Sequence, residues 1–166
     1  MNNGHNAIQN VLFVCLGNIC RSPMAEGILK NKIDNLGLND RYVVDSAGIG
    51  NWHSGEQPDP RMRATALEKG IELNSLARQV TSKDFKKFNL LIAMDRSNYS
   101  ELLIMANDEA ERSRVTLMRK FDPIASDDLN VPDPYFGGDE GFEDVYFMLE
   151  RSCKNLLEFL QNVENT

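Results

Sequence analysis

Cys15 and Arg21, five residues apart with Ser22 following at once, are the side chains of this sequence best suited to chemistry. A thiol is a strong nucleophile once ionised, and a guanidinium offers a planar fork that can hold two oxygens of a tetrahedral anion together. The segment Cys15-Leu16-Gly17-Asn18-Ile19-Cys20-Arg21-Ser22 is short enough to wrap its backbone N–H groups around one such anion. A helix opening at Ser22-Pro23, with Ser22 as N-cap and proline at the first helical position, would add its positive end. Helix N-termini and neighbouring cations favour thiolate over thiol, so Cys15 is expected to be ionised at neutral pH.

A thiolate that attacks a phosphate monoester must expel an alkoxide or phenolate, and this requires an acid beside the leaving oxygen. His5 lies in a polar stretch and His53 stands alone in a loop, where a solvated role is expected. Val131-Pro132-Asp133-Pro134-Tyr135-Phe136-Gly137 is a better source, because flanking prolines stiffen the backbone around one carboxyl group. Asp133 is therefore the expected acid. Asp127, Asp128 and Asp139 read as solvated loop charges, and Asp59-Pro60 as the start of a helix.

Cys20 has two readings. It packs as a small apolar residue, or it captures an oxidised Cys15 as a disulfide before irreversible acids form. A closed zinc site needs four ligands, and with His5, His53 and Cys153 as the remaining candidates no ligand spacing appears, so no metal is expected.

The elements that must position these residues can be read from the apolar pattern. Asn10 to Cys15 is a continuous apolar run that stops before Gly17, as a buried parallel strand would. Met24, Ile28, Leu29, Ile33 and Leu36 then recur at helical spacing until Gly37. Further strands are expected at Tyr42 to Asp45, Asn89 to Met94 and Val115 to Met118. Helices are expected from Pro60 to Lys69, after a Thr81–Asp84 capping box, and from Arg96 to Ala106. Phe121 to Gly141 is a long loop rich in Asp, Pro and Gly, of the kind that carries function. Phe142, Val145, Tyr146, Leu149, Cys153, Leu156, Leu157 and Leu160 share one face of a last helix. This alternation predicts an α/β fold, a mostly parallel sheet with helices on both faces, whose ligands gather beyond the carboxyl ends of the strands.

At 166 residues the chain suits one domain, assigned to 10–163 after a polar extension over 1–9. Hydrophobic residues make up 42% and charged residues 26%, so disorder is not indicated. A formal charge of -7 argues against nucleic acid as a partner, and an anionic substrate would need a local trap. Three cysteines are too few and odd in number for a secreted disulfide scaffold, and neither a signal sequence nor a membrane span is visible. A cytoplasmic, monomeric protein is expected.

Val14-Cys15-Leu16-Gly17-Asn18-Ile19-Cys20-Arg21-Ser22-Pro23, together with Asp45-Ser46-Ala47-Gly48, Met94-Asp95 and Asp133-Pro134-Tyr135, resembles the low molecular weight protein tyrosine phosphatases, in order and across nearly the whole chain. The resemblance implies a doubly wound sheet of four parallel strands with the phosphate-binding loop after the first. It assigns the nucleophile to Cys15, phosphate binding to Arg21 and proton donation to Asp133. It further implies that Asn18 holds the loop in a strained shape with help from Ser46, that Ser22 hydrogen-bonds the nucleophile, and that Asp95 supports the site. Trp52 and Tyr135 would wall a slot for an aryl phosphate, with Leu16 at its lip. Phe136 departs from the second tyrosine of many members.

The reaction so implied is hydrolysis of phosphotyrosine in proteins or peptides through a phosphocysteine, releasing inorganic phosphate with no cofactor. Arsenate reduction on the same scaffold would need further relay cysteines, and Cys153 has the apolar setting of a core residue. Protein-arginine phosphatase activity goes, within the resemblance, with threonine at the position of Ile19. A silent phosphoprotein-binding module would be expected to lack Cys15 or Asp133.

Overall fold

The structure, a computed structural model, describes residues 7–138 and 140–164, so His5 and Asp139 lie outside the described residues. Strands β1 (Gln9–Cys15), β2 (Tyr42–Gly48), β3 (Leu90–Ala93) and β4 (Val115–Leu117) form a parallel sheet in the order β2-β1-β3-β4. The α/β architecture and the four parallel strands are as expected. Val11 to Val14 are fully buried, which explains a continuous apolar run in place of alternation.

Successive β1 side chains serve opposite faces of the sheet. Val11 and Phe13 join the core beneath α1 (Arg21–Asn35), α2 (Pro60–Glu68) and α6 (Glu140–Glu164), with Met24, Ile28, Met62, Phe142 and Leu149. Leu12 and Val14 join Phe85, Leu102 and Leu117 beneath α3 (Asp84–Lys87) and α4 (Arg96–Met105). The apolar face foreseen for α6 is buried along its length, with Cys153 inside it. β1 lies between β2 and β3, so its carboxyl end is the place where connections diverge and a crevice opens. Cys15 is its last residue.

The element ends differ from expectation where tertiary partners decide them. β1 begins at Gln9, whose N–H donates to Arg41 O at 2.9 Å. β2 continues past Asp45 because Ser46, Ala47 and Gly48 stay in register with Phe13, Val14 and Cys15. α1 stops at Asn35, so Leu36 is an exposed cap residue and not part of the buried face. Asp84 accepts the Thr81 N–H at 2.8 Å, as a capping box would have it, but α3 begins only at Asp84 itself, with Lys83 at the cap and no side-chain cap bond, and the Asp84 carboxylate also holds Arg78. A short α5 (Glu109–Arg112), not anticipated, starts from Asp108, whose side chain accepts the Glu111 N–H.

Candidate active site

Three carbonyls of the loop after β1 are pulled outward by the segment that follows β2. Cys15 O accepts from Ile49 N at 2.9 Å, Leu16 O from Gly50 N at 3.0 Å, and Ile19 O from Asp59 N at 2.8 Å. In a planar trans peptide the next N–H points the other way, so the amides of Leu16, Gly17 and Cys20 face the hollow of the loop. The approach is close enough that a Cβ on Gly48 would lie 3.0 Å from Leu16 O and 3.1 Å from Gly17 C, so a larger residue there would have to push the loop backbone by a few tenths of an ångström. Asn18 adopts a left-handed φ of 60°, a conformation asparagine tolerates better than most residues, and its N–H donates to Cys15 Sγ at 3.3 Å.

A buried hydrogen-bond chain fixes that strained residue. Asn18 Nδ2 donates to Ser22 Oγ at 2.8 Å and to Ser46 Oγ at 2.9 Å, while Asn18 Oδ1 accepts from Arg78 N at 3.0 Å. Ser46 Oγ in turn donates to the buried Glu26 Oε1 at 2.5 Å, and Lys30 Nζ lies 2.5 Å from Glu26 Oε2. A carboxylate only accepts, so Ser46 spends its hydrogen on Glu26 and both Asn18 amide hydrogens are used on the two serines. The Ser22 hydroxyl hydrogen is thereby left for Cys15 Sγ, 3.0 Å away. Ser22 consequently does not cap α1: the helix begins at Arg21, Cys20 occupies the cap without a side-chain bond, and Pro23 sits in the first turn, where a missing N–H costs nothing.

Arg21 is almost completely buried, with 3% of its side chain exposed. Nη1 donates to Asp95 Oδ2 at 2.7 Å and to Val131 O at 3.1 Å, and Nη2 lies 3.6 Å from Asp133 Oδ2. Burial opposes its charge, but Cys15, Asp95 and Asp133 outweigh burial and hold the proton more firmly than usual. Asp95 is itself fixed, because its other oxygen accepts from Asn98 N and caps α4. Asp133 Oδ1 accepts from Tyr135 N at 3.0 Å, starting a short 3-10 turn over Pro134–Phe136.

A pocket of about 100 Å³ is lined by Cys15, Gly17, Arg21, Trp52, Asp133 and Tyr135 among others. That is well below the roughly 300–1,000 Å³ of sites for drug-sized ligands, and suits a small anion with part of an attached group. Leu16, Ile19 and Cys20 also line it, so nucleophile, arginine, acid candidate and both proposed walls meet in one place. Trp52 is 67% exposed and Tyr135 39%, as rims of an open slot would be. The arrangement can hold an oxyanion against a thiolate with a carboxyl group close by.

His53 is not merely solvated, as its loop setting suggested. It lines the same pocket, its Nδ1 is 2.6 Å from Glu56 Oε2, and a Cβ on Gly17 would come within 3.1 Å of its ring. Phe136 also reaches the pocket. Glu26 was missed, although it follows Ser22 by one helical turn on a face shared with Leu29 and Ile33, where a carboxylate is conspicuous. Arg78 and Arg61 had no local signal. Burial and the nearby Asp59, Cys15 and Asp133 charges push the Cys20 thiol up, and burial does the same to Cys153.

Residues 10–165 match the family model described as low molecular weight phosphotyrosine protein phosphatase. The chain belongs to that family. A low molecular weight protein-tyrosine-phosphatase of Streptomyces coelicolor is 43% identical over 89% of this chain and 90% of its own. A crystal structure of a protein tyrosine phosphatase from Entamoeba histolytica, with Hepes in its active site, superposes with a TM-score of 0.89 at 42% identity, covering 94% of this chain and 99% of that one. A Drosophila arginine phosphatase has the same fold, with a TM-score of 0.84 and 37% identity over 90% and 96% of the two chains. The low molecular weight phosphatase domain thus takes in every element from β1 to α6, and its loop after β1 is the one built around Cys15.

Proposed function

We propose that the protein hydrolyses phosphotyrosine monoesters in proteins or peptides. The observation that most supports this is the single narrow pocket in which Cys15, Arg21 and Asp133 meet between the rings of Trp52 and Tyr135. The Cys15 thiolate attacks phosphorus in line, a sulfur–phosphorus bond forms, and the ester oxygen leaves as Asp133 gives it a proton. Arg21 and the inward amides of the loop bind the equatorial oxygens as charge shifts among them. Asp133, now a carboxylate, takes a proton from water, which displaces the thiolate and releases inorganic phosphate. The Ser22 hydroxyl, aimed at sulfur, stabilises that thiolate both before attack and as it leaves. Ile19 supports an aryl ester over a phosphoguanidine, since its apolar side chain in the pocket offers no acceptor to a guanidino N–H.

Cys20 supplies a resolving thiol under this reading. Peroxide oxidises the Cys15 thiolate to a sulfenic acid, and the Cys20 sulfur displaces water from it to form a disulfide that a thiol reductant reopens. Wild type should recover after peroxide and reductant, whereas Cys20→Ser should lose activity for good. Equal recovery of the two would remove Cys20 from this role.

The substrate assignment is tested on phosphotyrosine, phosphoserine and phosphoarginine peptides, and on arsenate with a thiol. Phosphotyrosine turnover is expected, absent in Cys15→Ser and strongly slowed in Asp133→Ala. Preference for phosphoarginine or reduction of arsenate would replace the assignment. The protein is further read as a cytoplasmic monomer, which cell fractionation and light scattering would check; among the described residues no helix is long and apolar enough to cross a membrane.

A further inference from the structure

Arg61, at the start of α2, does not line the pocket but, among the described residues, touches Asp59, Tyr135 and Phe142. Its Nε donates to Asp59 Oδ1 at 3.1 Å and its Nη2 to Asp59 Oδ2 at 3.0 Å, a two-pronged pairing. The same Nη2, which has two hydrogens, donates to Tyr135 O at 3.1 Å. The guanidinium lies 4.6 Å from the ring centre of buried Phe142 in α6 and 5.6 Å from that of Tyr135. Asp59 is buried and bound through its own N–H to Ile19 O of the catalytic loop at 2.8 Å. Burial pushes the Asp59 carboxyl up, but Arg61 and two backbone amides outweigh it, so the ionised form of this pair is favoured.

We infer that Arg61 is a positioning residue that clamps the turn carrying Asp133 and Tyr135 to the loop carrying Cys15. The covalent path from Ile19 to Pro134 is long, whereas the path through Asp59 and Arg61 crosses only Ile19 O to Asp59 N, the Asp59–Arg61 fork, and Arg61 Nη2 to Tyr135 O. Asp133 accepts the Tyr135 N–H, so restraint of the Tyr135 peptide reaches the acid directly. Lysine could not reproduce this: it lacks the planar fork that pairs two oxygens of Asp59 while lying over an aromatic face. Most of the phosphate cradle is anchored apart from Arg61: Cys15 O and Leu16 O bind the Ile49 and Gly50 N–H groups, Arg21 binds Asp95, and only the Ile19 anchor runs to Asp59, through a backbone N–H that substitution of Arg61 leaves in place. Loss of Arg61 should therefore harm proton transfer and ring placement, and spare binding of the anion.

The inference rests on the aryl phosphatase reading, and the experiment separates the two. Wild type, Arg61→Met and Arg61→Lys are compared on a series of aryl phosphates whose leaving phenols differ in acidity, alongside inhibition by inorganic phosphate and thermal melting. Both variants should lose about ten- to a hundredfold in kcat/KM, which reports the steps up to loss of the phenol, on phenyl phosphate and phosphotyrosine, the scale of a small misplacement near reacting atoms. On activated esters, which need little proton donation, the loss should be severalfold at most. Phosphate inhibition should stay within about twofold of wild type, since the cradle keeps its contacts. Uniform loss across the ester series, parallel weakening of phosphate inhibition, or full activity in Arg61→Lys would overturn the clamp. A wild type without aryl phosphatase activity would instead overturn the underlying reading.

Discussion

The three thiols sit in different surroundings, and their chemistry should differ accordingly. Cys15 receives the Asn18 N–H at 3.3 Å and faces a serine hydroxyl at 3.0 Å, whereas burial pushes Cys20 and Cys153 up and keeps them protonated at neutral pH. Iodoacetate should label Cys15 first, inorganic phosphate should protect it, and Cys20 and Cys153 should stay unmodified in the folded protein; peptide mass mapping reads the order. Glu26 decides which way the hydrogens of the Ser46–Asn18–Ser22 chain point. In Glu26→Gln the amide can donate, so Ser46 no longer has to, and the direction of the chain is released. Cys15 alkylation should then slow by roughly tenfold, the worth of about one charge-assisted hydrogen bond, and Ser22→Ala should show a similar loss. An unchanged Glu26→Gln rate beside a slow Ser22→Ala would detach Glu26 from the sulfur.

At the scale of elements, the long connection between β4 and α6 has to deliver Asp133 from a segment with little regular structure. Asp122 anchors its start: the carboxylate is fully buried, bound by Arg119 Nε at 3.2 Å and by Arg151 of α6 at 3.1 and 3.2 Å. The far end is held where Val131 N donates to Met94 O at 2.8 Å and Val131 O receives Arg21. Asp122→Ala leaves two arginines without their carboxylate and should cost about 3 kcal/mol, read as a lower denaturant midpoint. Burial alone would push the Asp122 carboxyl up, but Arg151, the Ile124 amide and Arg119 together hold it below the usual carboxylate range. Its folded value is thus depressed, so its stabilising contribution is complete above the ordinary Asp range and is lost as pH falls through that range toward the folded value. The stability gap between wild type and Asp122→Ala should accordingly narrow in acid; a gap independent of pH would show that charge is not what Asp122 contributes.

Across the whole molecule, an excess of acidic residues opposes the approach of anionic substrates, while Arg21 and the inward amides attract phosphate at short range. Salt screens the first effect more than the second, because the Debye length is about 10 Å at 0.1 M and buried charges are screened less. For an acidic phosphopeptide kcat/KM should therefore rise as salt is added from very low concentration, and a neutral phosphopeptide should respond less. A fall for the acidic peptide from the outset would mean that the local field of the site dominates at long range. The sheet order brings β1 to the middle of the fold, so the loop rests on strands at both sides and can sustain the left-handed turn at Asn18 without collapsing.

Much of this could be read from the chain alone, for a physical reason. A buried strand, a tight anion-binding loop and the start of a helix are local events, so Cys15, Arg21 and Ser22 declare themselves within eight residues, and Asp133 is marked by the prolines beside it. The α6 face and the alternation of strands and helices are equally local, being periodicities of single segments. Glu26, Arg61, Arg78 and Asp122 escaped notice, and His53 read as merely solvated, because the contacts that tie each of them to the site or the fold lie far along the chain, whatever near neighbours they also have. Asn18 meets Arg78 across 60 residues, Arg61 meets Tyr135 across 74, and Asp122 meets Arg151 across 29. Whether such polar groups pair depends on how packed elements are turned toward one another, and that orientation is settled only when the two apolar faces of the sheet are covered.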